Sequence, residues 1–141
     1  MNEKLIIEKI TPTAKLPTRA YAGDAGLDLY ADETITIAPK AYALIRTGLK
    51  MEIPVGFVGL VWDKGGLAKQ GLHSLAGVVD AGYRGELFIE LLNLSANDIA
   101  ITAGQKMAQL LVQPVSLIEV VEGKVSESER GDKSLGSSGL N

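Results

Sequence analysis

The sequence predicts an all-β protein, a jelly-roll-like antiparallel barrel or sandwich. Three observations carry this. Short apolar runs recur at near-regular spacing, Gly- and Pro-rich turns separate them, and no stretch sustains the 3.6-residue period of an amphipathic helix. The 141 residues suit one domain with a core of useful size.

The elements follow in chain order. Lys4–Lys9 carries Leu5-Ile6-Ile7 as the first strand. Leu27–Ala31 alternates, with Leu27 and Leu29 on one face and Asp28 on the other. Thr34–Ile37 stops at Ala38-Pro39, and Tyr42–Ile53 stops at Pro54-Val55-Gly56. Phe57–Trp62 runs to the turn at Lys64-Gly65-Gly66, and a single helical turn is expected near Leu67–Gln70. Leu72–Val79 reads as one strand. Ala81-Gly82 then supplies the small residue and permissive backbone of a tight hairpin into Glu86–Asn93. Ile99–Ile101, Met107–Pro114 and Leu117–Val120 complete the set. Two runs, Leu87-Phe88-Ile89 with Leu91-Leu92 and Leu110-Leu111-Val112, are apolar on both faces. They suit central core strands or a face covered by another subunit, and both can hold.

Residues 1–121 are read as the β-domain and 122–141 as a flexible C-terminal arm. The arm is Gly, Ser and charge, with Val125, Leu135 and Leu140 its only large aliphatic residues. Arg130-Gly131-Asp132-Lys133-Ser134-Leu135-Gly136-Ser137-Ser138-Gly139 is either a plain solvated tail or an anion clamp of glycine amides, serine hydroxyls and one arginine.

Composition narrows the chemistry. The chain has no cysteine, which excludes disulfides, thiolate zinc sites and thiol nucleophiles. One histidine, His73, excludes a His-cluster metal site; it is read as structural or surface. A net charge of −3 argues against general nucleic-acid binding but leaves room for a local cationic pocket. The start, Met1-Asn2-Glu3-Lys4, lacks a signal-peptide pattern, and no apolar run approaches the roughly 18 residues of a membrane span. A cytoplasmic, membrane-free location is expected.

Four constellations carry possible chemistry. Asp80 and Tyr83 flank the Ala81-Gly82 turn, where an acid, a phenol and open backbone donors could hold a flat polar ring. Asp28, alone in an apolar strand, is either a carboxylate on a wet face or an acid directed at a metal or its waters. Trp62–Gly71 sets Lys64 beside Gly65 and Gly66, either a surface loop or a phosphate cradle, though not at P-loop spacing. Gln109, among apolar neighbours, needs hydrogen-bond partners and is either structural or part of a site.

Taken together, in order and spacing, these segments resemble the five motifs of the trimeric dUTPase family. Ala25–Tyr30 is similar to AGxDL, Asp63–Ala68 to PRSGLA, Gly77–Glu86 to GxIDxxYRGE, Gly104–Leu110 to GxRxAQL and Arg130–Gly139 to RGxGGFGSTG. The resemblance implies a homotrimer with active sites at subunit interfaces and an arm that closes over the nucleotide. It implies hydrolysis of dUTP to dUMP and pyrophosphate with Mg²⁺. In those terms Asp80 activates the water and Tyr83 packs on the deoxyribose. The Ser74–Val79 arm, including Gly77, Val78 and Val79, reads uracil. Asp28 holds metal-bound water. Lys64, Gly65, Gly66 and Gln109 meet the phosphate chain. Arg130, Ser137 and Ser138 clamp its far end, and Leu135 covers the base. A non-catalytic or weakly active nucleotide-binding homologue and a dCTP deaminase-related enzyme are the alternatives.

The chain departs from the family pattern at several positions. Lys64 and Lys106 stand where Arg is usual, and Gly65 where Ser is usual. Leu135 replaces the usual Phe, and Lys133-Ser134 two glycines. Lysine keeps the charge without the bidentate fork. A missing hydroxyl to a charged oxygen removes about 1.5–3 kcal/mol, and lost base stacking about 1–3 kcal/mol. Weaker closure and a higher KM are expected, with the reaction retained.

Overall fold

The computed structural model describes residues 3–136 together with 138 and 139. It is all-β and antiparallel. The strands are β1 (Ile6–Lys9), β2 (Leu27–Tyr30), β3 (Ile35–Ile37), β4 (Tyr42–Glu52), β5 (Phe57–Asp63), β6 (Leu72–Leu75), β7 (Val78–Val79), β8 (Glu86–Asn93), β9 (Ile99–Ile101) and β10 (Lys106–Pro114). One short helix, α1 (Gly65–Lys69), follows β5.

The strands form sheet I, ordered β1-β4-β8-β6, sheet II, ordered β2-β10-β5-β7, and a two-stranded ribbon of β3 and β9. The doubly apolar runs lie in central strands: β8 between β4 and β6, and β10 between β2 and β5. Alternation in β8 sends Leu87, Ile89, Leu91 and Asn93 inward, leaving Glu86, Phe88, Glu90 and Leu92 on the outer face. Leu29, Ile45, Ile89, Ile101, Met107 and Leu110 fill the core between the layers. Buried Asn93 is fully engaged. Its Nδ2 donates to the carbonyls of Ile37 and Asn97, and its Oδ1 accepts from Ser95.

Three strand expectations need correction. Leu72–Val79 is two strands: Leu72–Leu75 pairs with β8 in sheet I, and Val78–Val79 with β5 in sheet II. The break comes at Ala76 and Gly77, whose φ angles are 58° and 136°. Only a glycine fits the second position, because a Cβ there would lie 2.8 Å from the Val61 carbonyl oxygen. The Ala81-Gly82 turn is therefore not a hairpin, since β7 and β8 belong to different sheets. It is a corner that returns the chain from sheet II to sheet I. Finally, Leu117–Val120 forms no strand. Leu117 and Val120 are 84% and 93% exposed, and among the described residues no strand pairs with this segment.

Among the described residues no helix is long and apolar enough to cross a membrane.

Candidate active site

The chain crosses between the sheets twice in quick succession, at Ala76-Gly77 and at Asp80–Gly85. A cavity of about 340 Å³ sits at this double crossing, and Gly77, Val78, Val79, Asp80 and Tyr83 all line it. The corner is fixed by its own hydrogen bonds. The Tyr83 amide donates to the Asp80 carbonyl at 3.0 Å. The Tyr83 hydroxyl donates to the Glu86 carbonyl at 2.8 Å, and the ring lies so close to Gly85 that any side chain there would collide with it. Arg84 donates to the carbonyls of Ala81 and Tyr83. The Asp80 carboxylate is exposed and makes no hydrogen bond or ion pair among the described residues. An unengaged acid is thus held at a rigid corner, beside a phenol.

Two glutamates line the same cavity, and sequence reasoning missed both. Glu86 is tied down: Arg46 donates to it from Nε and Nη2 at 3.0 and 3.1 Å, and the Gly48 amide donates at 3.0 Å. Glu90 has no such partner among the described residues. The period-2 pattern of β8 put both on the outer face, but nothing in the sequence showed that this face borders the cavity.

A second cavity, of about 500 Å³, lies at sheet II and is lined by Gly26, Asp28, Trp62, Asp63, Lys64 and Gln109 among others. The register explains the grouping. Gln109 of β10 stands opposite Asp28 of β2 on one side and Trp62 of β5 on the other, so the three side chains share one face in a row. Leu29 and Leu110 take the core face, as the alternation of β2 predicts. Gly26 is required because any side chain there would strike the Gln109 amide. That amide donates from Nε2 to the Asp63 carbonyl at 2.8 Å, which satisfies its donor.

Asp28 is not a wet carboxylate. Its side chain is 4% exposed and lies against Lys64 and Lys106, while its backbone pairs with Thr18 in an isolated antiparallel bridge. Lys64 Nζ donates to Oδ1 at 2.6 Å, and Lys106 Nζ lies 2.8 Å from Oδ2 as an ion pair outside hydrogen-bond alignment. Burial pushes the Asp28 carboxyl up, but Lys106 and Lys64 outweigh it and hold it below the usual carboxylate value. Asp28 in turn raises the Lys106 ammonium.

The remaining site expectations are scattered. Gly65 and Gly66 open α1 in open space, where a Cβ would meet nothing within 4 Å. Ser74 sits outside the first cavity, and its amide is already engaged, donating to Asp63 Oδ1 at 2.6 Å. Arg130 and Ser138 line a third, exposed cavity of the tail, and Leu135 is fully exposed. Ser137 lies outside the described residues. His73 is exposed, as expected of a surface histidine, yet its Nδ1 lies 2.7 Å from Asp63 Oδ2.

The donor set speaks to a metal. Among the described residues no group of three His, Cys, Asp or Glu side chains could cage one. Asp28 offers a single ionised carboxylate, with Lys64 on Oδ1 and Lys106 beside Oδ2. That suits a cation such as Mg²⁺, which keeps its waters and takes most of its ligands from a phosphate chain.

The sheets are antiparallel and the one helix described is a single short turn, so the site is built on neither a P-loop nor a Rossmann design, both of which need parallel strands and crossover helices. The chain belongs to the dUTPase family, whose family model matches residues 12–139. It is 43% identical to the deoxyuridine 5′-triphosphate nucleotidohydrolase of Mycobacterium marinum and 44% identical to that of Mycobacterium leprae. In each case the match spans 99% of this chain and 97% of the relative. Among solved structures it is similar to a mutant dUTPase of Staphylococcus bacteriophage 80alpha with dUpNHpp, at TM-score 0.89 and 32% identity over 99% of this chain and all of that one. It is also similar to a mutant dUTPase from phage phi11 of S. aureus, described with a structural Mg(II) ion, at TM-score 0.82 and 27% identity over 89% of this chain and 99% of that one.

Proposed function

We propose that this dUTPase-family chain hydrolyses dUTP to dUMP and pyrophosphate, with Asp80 as the base that orients and deprotonates the attacking water. The observation that carries the reading is the unengaged Asp80 carboxylate beside Tyr83 on a hydrogen-bonded corner, over a cavity walled by the backbone of Gly77–Val79. Tyr83 packs on the sugar and leaves no room for a 2′-hydroxyl. The backbone of the arm reads uracil, and the narrow crossing excludes a 5-methyl group. A positioned base contributes about 10²–10⁴-fold. The rest comes from positioning and charge neutralisation at the α-phosphorus.

Lys64, Gly65, Gly66 and Gln109 take the phosphate chain, and Asp28 holds water of a Mg²⁺ that the triphosphate brings. Mg²⁺ supplies charge neutralisation on the phosphates. The base cavity and the Asp28 cavity are separate within one chain. That supports a homotrimer whose sites lie between subunits, with 1–121 as a jelly-roll-like domain. The outer face with Tyr42, Leu44 and Phe88 exposed suits such an interface. Residues 122–141 form a flexible arm whose Arg130, Leu135, Ser137 and Ser138 close over the bound nucleotide. The protein acts on a small molecule in the cytoplasm, with no nucleic-acid or membrane partner.

Pyrophosphate release measured with dUTP, dTTP, dCTP and UTP in the presence of Mg²⁺ tests this. Stoichiometric release from dUTP with little from the others is expected, and no release from dUTP rejects the reading.

One observation favours a second reading, a dCTP deaminase-related activity. Glu90 places an unengaged carboxylate at the base cavity, where it could accept from an exocyclic amine that uracil lacks. Ammonia release from dCTP, lost in Glu90→Gln, would support it.

A further inference from the structure

Asp63 has no part in the reaction as set out above, yet it gathers contacts from two other strands. It is the last residue of β5, in sheet II. Its Oδ1 accepts the Ser74 amide at 2.6 Å, and its Oδ2 lies 2.7 Å from His73 Nδ1. Ser74 and His73 belong to β6, the edge strand of sheet I. The Asp63 main-chain carbonyl accepts Gln109 Nε2 of β10. One residue therefore ties the end of β5 across to a strand of the opposite sheet.

The strand it holds is the root of the base-reading arm. Immediately after Leu75 the chain leaves sheet I at Ala76 and Gly77, both at positive φ, and lines the base cavity through Asp80. The arm pairs with β5 over only Val78 and Val79, opposite Leu60 and Gly59. Such a two-residue strand is weak by itself. The Gly77 carbonyl accepts the Val61 amide at 2.8 Å, and the Asp63 carboxylate adds the second anchor on the same strand. The Asp63 side chain is 24% exposed, so its hydrogen bonds form in partial shelter from water.

We propose that Asp63 is a positioning residue for base recognition: its carboxylate pins Ser74 and His73 to β5 and so sets where the Gly77–Asp80 arm stands over the pyrimidine. The proposal rests on the dUTP reading for the identity of the base. The following residue, Lys64, carries the cation on Asp28, so one short segment holds the root of the arm and starts the phosphate loop.

The test compares Asp63→Ala, Asp63→Asn and His73→Asn with the full-length parent in steady-state kinetics on dUTP and dCTP. A lost charge-assisted bond to the arm corresponds to about tenfold to hundredfold. Asp63→Ala should raise KM for dUTP by that range, change kcat by less than about threefold, and narrow the preference for dUTP over dCTP. Asp63→Asn keeps an acceptor for the Ser74 amide and should recover most of the KM. An unchanged KM and preference in Asp63→Ala, or a fall in kcat alone, overturns the proposal. Amide hydrogen exchange in the ligand-free protein separates this from the functional reading. Faster exchange across residues 74–79 in Asp63→Ala, with β4 and β8 unchanged, supports the anchor even if dUTP is not the substrate. Uniform or unchanged exchange overturns it. If Asp63→Ala does not fold, His73→Asn, which removes the imidazole from Oδ2, carries the same readouts at smaller size.

Discussion

Lys64 Nζ lies 2.6 Å from Asp28 Oδ1, so the cation proposed for the phosphates begins on the carboxylate proposed for the metal's waters. The two roles compete in the free protein. In the proposed complex Lys64 would turn to phosphate oxygen and leave Asp28 free to hold water of the metal. Metal and nucleotide should therefore bind with positive coupling. Titration calorimetry with dUpNHpp is expected to show at least about tenfold tighter binding with Mg²⁺ than without, the scale of one charge-assisted hydrogen bond. In Asp28→Asn the lysines are released, so metal-free binding should strengthen and the Mg²⁺ effect should fall below about threefold. An undiminished Mg²⁺ effect in that variant would place the metal elsewhere.

Asp80→Asn should separate binding from chemistry. The amide preserves the shape of the corner, whose hydrogen bonds run through main chain and Tyr83. Nucleotide affinity is expected within about threefold of the parent, while kcat falls about 10²–10⁴-fold, the usual contribution of a general base. Pyrophosphate release measured alongside dUpNHpp binding checks it. A variant retaining more than a tenth of parental kcat would remove Asp80 from the base role.

Acid should weaken the fold through Asp63. Burial pushes its carboxyl up, but hydrogen bonds from Ser74 and His73 outweigh it and hold it below the usual value. The unfolded chain returns it to about 3.9 and so binds more protons at acidic pH, which makes stability rise with pH there. The stabilisation is fully present above the unfolded value and is lost as pH falls through the lower folded one. Urea midpoints of parent and Asp63→Asn should differ near pH 7 and converge as the pH drops from about 5 toward 3. A constant gap across that window would assign the stabilisation to packing instead of charge.

Much of this was legible in the residues, and the failures share one cause. Periodicity found the central strands β8 and β10 because alternation and burial are local to each strand. It also put Asp28 on the face opposite Leu29. It could not show which sheet a strand joins. The run Leu72–Val79 looks continuous in hydropathy, yet Ala76 and Gly77 turn it from one sheet to the other, and the apparent hairpin at Ala81-Gly82 became a corner. The same blindness to pairing made Leu117–Val120 a strand and hid Asp63, whose partner Ser74 stands eleven residues on in the opposite sheet. The depth of Asp28 was equally hidden, because the two lysines on its carboxylate come from separate segments. Motif order and spacing together singled out the Asp80–Tyr83 corner, for which the base role is proposed.

The departures in the second motif should be reversible. Gly65 has open space where a Cβ would stand, and its φ is not among the positive ones, so a serine fits without strain. Position 65 is also the first residue of α1, directly after Lys64, which lines the Asp28 cavity. Lys64 is 30% exposed in its side chain and reaches Asp28 through a single hydrogen bond, so an arginine can keep that contact and still present a second donor pair. Gly65→Ser should lower KM for dUTP by about tenfold or more, as one restored bond to a charged oxygen implies. Lys64→Arg should add a smaller gain, because its charge is already present. The sites are adjacent and share one ligand, so the double variant should gain less or more than the sum, and the cycle measures their coupling. Steady-state kinetics on dUTP at saturating Mg²⁺ reads all four proteins. If Gly65→Ser left KM unchanged while the fold and Tm were intact, the loop at 64–66 would not be a phosphate site.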